Sequence, residues 1–325
     1  MINMKVEGRR WKVEGVDFNQ NEILRLFLNK ILLFFVLISS TLILLPSAYL
    51  YPRSYPMLLN PEQVLNKDYL IIDARNEINF LKGHIKGAIH LDGGCSGKIC
   101  YKKGDLPCVL KPINEIKKIL EEKGICKDKK IVIYGDENSW GAEGRIYWLL
   151  DKLGYKKISI LNGGYNYWKS KRYPISFGIS LFSKSKKCKN NSINHFKLVT
   201  AEDIHKFIKE KKAIIIDTRT LKEYNGAILY GEKRGGHIPG AIHIYWKDFL
   251  NKDYTLKTKN EILNILKEHG IPLPENIHKK IITVCTGGVR SGFVYFVLKY
   301  VGYKDVENYD YGMWQWAMSE FEIEK

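Results

Sequence analysis

The chain has 325 residues, 45% of them apolar and 12% aromatic, which is globular material long enough for two domains and excludes a disordered or fibrous protein. Its net charge of +17 reflects 52 basic against 35 acidic residues, and the excess is mostly lysine scattered along the chain. A nucleic-acid surface would gather arginine and aromatics on one element, so no nucleic-acid partner is expected; solubility and attraction of small anionic substrates account for the charge.

Residues 1–30 form a polar N-terminal region with Arg25 and Lys30 just ahead of an apolar block. That block, residues 31–51, carries no charge and, counted to Tyr51, reaches the roughly 20 residues needed to cross a membrane. It reads as a signal peptide or a membrane anchor. The long region before it and the lack of a clean A-x-A site around Ser47-Ala48 favour the anchor. Basic residues on its N-terminal side then put the rest of the chain outside the cytoplasm, in a periplasm or at the cell surface.

From residue 57 onward strands and helices alternate, and the same order occurs twice. Leu70-Ile71-Ile72-Asp73-Ala74-Arg75 is followed by Gly83-His84-Ile85-Lys86-Gly87-Ala88; Ile214-Ile215-Ile216-Asp217-Thr218-Arg219 is followed by Gly236-His237-Ile238-Pro239-Gly240-Ala241. The apolar run Ile131 to Tyr134 matches Ile281 to Val284, and the helices after them end at Leu153-Gly154-Tyr155 and Val301-Gly302-Tyr303. Each copy closes on an aromatic segment, ending at Trp168 and Trp314. This is a tandem duplication of an α/β unit of roughly 120 residues. It predicts a first domain at 57–175, a linker at 176–196 rich in Ser, Lys and Asn, and a second domain at 197–325. Short apolar strands alternating with helices imply a central parallel sheet flanked by helices in each domain.

The two copies differ where chemistry is expected. In the second, the strand runs into Cys285-Thr286-Gly287-Gly288-Val289-Arg290-Ser291. The small residues let the loop curl with its N–H groups around the sulfur, and the helix that follows turns its positive end to the same spot. Arg290 adds a cation, so Cys285 is expected to be a thiolate nucleophile, with Thr286, Gly287, Gly288, Val289, Arg290 and Ser291 binding substrate. A merely buried cysteine would need neither the glycines nor the arginine. In the first copy Gly135 stands in place of the cysteine and Asp136-Glu137 follows, an acidic loop that repels anions. That copy is expected to be catalytically silent and to form one wall of a cleft.

This set of motifs resembles the rhodanese family of sulfurtransferases in its two-domain form. The resemblance implies two rhodanese-like domains, the N-terminal one inactive. It implies that Cys285 takes the outer sulfur of a donor such as thiosulfate, releases sulfite, and passes the sulfur from a persulfide to cyanide or a thiol. No cofactor is implied. Where two-domain animal enzymes carry a substrate-binding arginine, this chain has Glu223; Arg234 is either the replacement charge or a solvent-facing loop residue. Asp217 and Arg219 are structural supports, since Asp73 and Arg75 recur in the copy without a nucleophile. The loop lacks the Cys-Gly-Ser/Thr-Gly pattern of mercaptopyruvate enzymes, which favours thiosulfate as donor.

Three other readings compete. A 3-mercaptopyruvate sulfurtransferase or a non-enzymatic persulfide carrier would share the Cys285 chemistry. A cysteine-dependent phosphatase would need Cys-x5-Arg, one residue longer than Cys285 to Arg290. Separately, Cys95, Cys100 and Cys108 form a cluster with Cys-x4-Cys-x7-Cys spacing, read as a disulfide or a metal site with Cys126 as a candidate fourth ligand.

Overall fold

The structure is a computed structural model describing residues 5–7, 10–13, 16–19, 55–179, 188, 194 and 196–325. It divides into two compact units, residues 1–54 and 55–325. In the first, Lys5–Glu7, Arg10–Val13 and Val16–Asn19 pair as a three-stranded antiparallel sheet, which the polar composition of this region did not announce. The apolar run at 31–51 lies outside the described residues. The expectation of an exported or membrane-anchored protein is corrected: among the described residues no helix is long and apolar enough to cross a membrane.

The second unit holds both repeats. In the first repeat β1 (Leu58–Leu59), β2 (Leu70–Asp73) and β3 (Ile89–His90) precede a hairpin of β4 (Cys100–Lys103) and β5 (Leu106–Leu110). Helix α1 (Ile113–Glu122), β6 (Ile131–Tyr134), α2 (Ala142–Lys152) and β7 (Ile158–Leu161) follow. The sheet runs β1-β7-β6-β2-β3, all parallel. In the second repeat β8 (Ala213–Asp217), β9 (Ile242–His243), β10 (Lys280–Val284) and β11 (Val306–Tyr309) form a parallel sheet ordered β9-β8-β10-β11. That order is the counterpart of β3-β2-β6-β7. All four residues of β6 are buried, as a parallel strand covered on both faces requires.

In the second repeat α3 (Leu221–Tyr224) and α4 (Lys259–Glu268) precede α5 (Val289–Val301), and the repeats meet along α2 and its equivalent α5. From Phe293 to Leu298 every side chain of α5 is buried, so this helix is apolar all round and enclosed by protein. Two glycines bring the backbones together. A Cβ on Gly144 would fall 2.6 Å from the Phe293 backbone nitrogen, and one on Gly292 would fall 2.8 Å from the Arg145 Cα. Beside this crossing Arg145 donates through Nε and Nη2 to the two oxygens of Asp310, both at 2.8 Å and fully buried. Tyr254 of the second repeat donates to Glu143 of the first at 2.8 Å.

Burial lifts the Glu143 carboxyl from its ordinary 4.5 to about 7, with Asp136 adding to the rise and the Tyr254 and Ser139 hydroxyls opposing it. The folded state therefore holds this proton more tightly than the unfolded chain. Stability from this group is complete below about 4.5 and is lost as pH climbs through about 7. Glu143→Gln is expected to flatten that decline and to raise the unfolding free energy at pH 8 by about 3 kcal/mol. Denaturant melts of both proteins at pH 5 and pH 8 read the difference directly.

Candidate active site

Cys285 follows the last residue of β10, where the register sets Val284 opposite Asp217 of β8. Its side chain is 1% exposed and receives a hydrogen bond from the Ser291 hydroxyl at 3.3 Å. The loop turns at Gly288, whose φ of 80° belongs to the left-handed region, and the Asn308 amide fixes the Gly288 carbonyl at 3.1 Å. Gly287 is required for another reason: a Cβ there would run into the Trp314 ring, 2.5 Å from its Cε3. The aromatic closing segment holds the loop from below, with the N–H groups of Met313 and Trp314 donating to the carbonyls of Cys285 and Thr286 at 2.9 and 3.1 Å. Among the described residues, none of the backbone N–H groups from Thr286 to Ser291 donates to a protein acceptor. These donors stand at the N-terminus of α5, where an anion is favoured.

Arg290 does not reach into the loop mouth as a free cation. It donates through Nη1 and Nη2 to the two carboxylate oxygens of Glu223, both at 2.8 Å, and through Nη2 to the Thr286 hydroxyl at 2.7 Å. Burial alone would raise the Glu223 carboxyl, but Arg290 and the Thr220 contacts hold it at about 2. Glu223 stands where two-domain animal enzymes carry a substrate-binding arginine. It turns out to be the partner that fixes Arg290, while also capping the short helix α3 (Leu221–Tyr224) through Thr220. A Thr-x-x-Glu pattern reads as a capping box, which hides the second contact from a sequence reader.

The remaining candidates fall into place around this centre. Arg219 pairs with Asp217 and donates to the Gly236 carbonyl at 2.7 Å; Arg75 does the same with Asp73 and the Gly83 carbonyl at 2.7 Å. Both pairs sit behind their loops. The Arg234 guanidinium is bound by the carbonyls of Trp316, Ala317, Ser319 and Phe321, and Arg234 is not among the residues that line the cavity.

Cys285 opens onto a cavity of about 200 Å³. The second repeat supplies Tyr230, the loop and Trp314, while the first supplies Gly94, Cys95, Ser139 and Trp140. Sequence reasoning missed Trp140 and Tyr230, whose rings flank the Arg290 guanidinium at 5.3 and 5.6 Å. It also missed that Cys95 faces the same space as Cys285. Cys95, Cys100 and Cys108 are free thiols, and no group of three or more His, Cys, Asp or Glu among the described residues could hold a metal ion. Cys126 is bonded to Cys188 across 62 residues and is therefore no fourth ligand.

Comparison with known families agrees with this geometry. The rhodanese-like domain model matches twice, over residues 61–171 and 200–319. The chain belongs to the rhodanese family of sulfurtransferases. Relatives include the sulfur carrier protein TtuD of Thermus thermophilus, 32% identical over 62% of this chain and 73% of that protein. Another is the thiosulfate sulfurtransferase of Azotobacter vinelandii, 26% identical over 81% of this chain and 95% of that one. Among solved structures, a 3-mercaptopyruvate sulfurtransferase from Leishmania major superposes with a TM-score of 0.70 at 20% identity, covering 83% of this chain and 75% of that one. The rhodanese fold thus occurs twice here, and only the second copy presents a cysteine at the strand end.

Proposed function

We propose that this rhodanese is a thiosulfate sulfurtransferase with a single active site on its C-terminal domain, spanning 197–325, and a silent N-terminal domain at 57–175 that walls the cleft. Cys285 attacks the outer sulfur of thiosulfate, sulfite leaves, and the Cys285 persulfide is collected by a small nucleophile such as cyanide or a thiol. The carrying observation is the set of unengaged amides from Thr286 to Ser291 around a cysteine at the head of a helix.

The same amides bear on the donor. In thiosulfate the charged oxygens lie on the sulfur next to the one transferred, within reach of the loop. In 3-mercaptopyruvate the carboxylate lies farther out and calls for a side-chain cation. Arg290 is already paired with Glu223, and Arg234 is engaged by carbonyls. Assays of the full chain with cyanide as acceptor are expected to give a kcat/KM for thiosulfate at least about tenfold above that for 3-mercaptopyruvate, about 1.4 kcal/mol of discrimination. The opposite ratio would reassign the donor. Hydrolysis of a phosphate ester with no thiocyanate formed from either donor would replace sulfur transfer by phosphatase chemistry.

A further inference from the structure

Three cysteines of the first repeat, one of them on the opposite wall of the cleft, have no part in that cycle, yet their arrangement is reactive. Cys95 is exposed and lines the Cys285 cavity. Behind it the Cys108 and Cys100 sulfurs are hydrogen-bonded to one another at 2.8 Å, and Cys95 also makes a hydrogen bond to Cys108. The Arg145 guanidinium donates to the same sulfur at 3.3 Å. A buried sulfur that accepts from a guanidinium and is hydrogen-bonded to two further thiols is stabilised as an anion. These contacts lower the Cys108 thiol well below the ordinary range against the opposing effect of burial, while the hydrogen bonds to Cys108 and burial push Cys95 and Cys100 up. Cys95 and Cys285 line one cavity of about 200 Å³, smaller than the roughly 300–1,000 Å³ of ordinary ligand pockets.

We propose that Cys95 and Cys108 form an internal acceptor that reduces the Cys285 persulfide and releases its sulfur as hydrogen sulfide. This rests on the Cys285 persulfide of the proposed function. Cys108 takes the proton of Cys95. The Cys95 thiolate attacks the outer sulfur of the protonated persulfide, the Cys285 sulfur–sulfur bond breaks, and Cys285 leaves as thiolate. Cys95 now carries the persulfide. Cys108, having given up the proton it took, attacks the inner sulfur, forming the Cys95–Cys108 disulfide and expelling sulfide, which leaves with that proton. In sum a persulfide, one thiol and one thiolate become a thiolate, a disulfide and hydrogen sulfide. The sulfane sulfur is the oxidant and gains the two electrons that the cysteines lose. A dithiol reductant must reopen the disulfide before another round, so the site behaves as a donor-to-sulfide reductase when such a reductant is present.

The test is a single turnover of the full chain with thiosulfate and neither acceptor nor reductant, reading sulfite, sulfide and thiol state by intact and peptide mass. Wild type is expected to release about one sulfide per sulfite and to lose two thiols among Cys95, Cys100 and Cys108. In Cys95→Ser and in Cys108→Ser the ratio of sulfide to sulfite is expected to fall by about tenfold or more, with the persulfide retained. Using the ratio removes any effect of either substitution on loading or folding. Sulfite release with a lasting Cys285 persulfide and three intact thiols in wild type would overturn the relay and leave the transferase standing. So would a Cys95–Cys285 bridge, or undiminished sulfide from both variants. No sulfite at all would remove the proposed function, and the relay with it.

Discussion

Cys285→Ser is expected to abolish thiocyanate formation, leaving activity about a thousandfold or more below wild type, because the step that breaks the donor's sulfur–sulfur bond has no other nucleophile on the cavity floor. Cys95 lines the same cavity, but it belongs to the first repeat and not to the loop whose amides head α5. The substitution is close to isosteric, and the Ser291 hydroxyl that donates to Cys285 can donate equally to a serine oxygen. Stability should therefore change by no more than about 1 kcal/mol. Thiosulfate–cyanide assays beside a denaturant melt separate the two effects. Equal activity in wild type and variant would sink the mechanism.

Glu223→Ala is expected to cost about 3–5 kcal/mol of stability and most of the activity. The carboxylate has no exposure and takes both arms of a guanidinium that is itself buried. Removing it strands the Arg290 charge among Trp140 and Tyr230 and releases the Thr286 hydroxyl at the start of the loop. Pairing the change with Arg290→Met is expected to recover most of the stability, since the unpaired charge is the main penalty, but not the transfer rate. The pH dependence has a definite sign. With a folded value of about 2 against an ordinary 4.5, the Glu223 contribution is complete above about 4.5 and is lost as pH falls toward 2. The Glu143 contribution runs the opposite way, so stability should peak on the acidic side of neutrality.

Much of this is legible in the amino-acid sequence. Parallel strands covered on both faces are apolar runs, and their duplication with Asp-x-Arg and Gly-His-Ile at fixed places fixed the repeat and its family. The candidate nucleophile stood out because small residues after a strand have few other uses. What escaped were contacts between residues far apart in the chain. Glu223 looks like a helix cap and Arg234 like a loop charge until the chain brings Arg290 to one and four carbonyls to the other. The bond from Cys126 to Cys188 ties the first repeat to the segment between the repeats, and the meeting of Cys95 with the Cys285 cavity follows from packing of the two repeats; local spacing encodes neither.

The glycine crossing of α2 and α5 carries one more consequence. Aligned on the shared helix ends Gly154-Tyr155 and Gly302-Tyr303, Gly144 corresponds to Gly292 and Arg145 to Phe293. Gly144 abuts Phe293, and Gly292 abuts Arg145. The exchange is reciprocal, which is how the protomers of a twofold dimer meet. Here the two partners are joined in one polypeptide, and each was free to diverge. One kept an aromatic ring at the seam and a cysteine at its strand end; the other put a guanidinium at the seam and three thiols across the cleft.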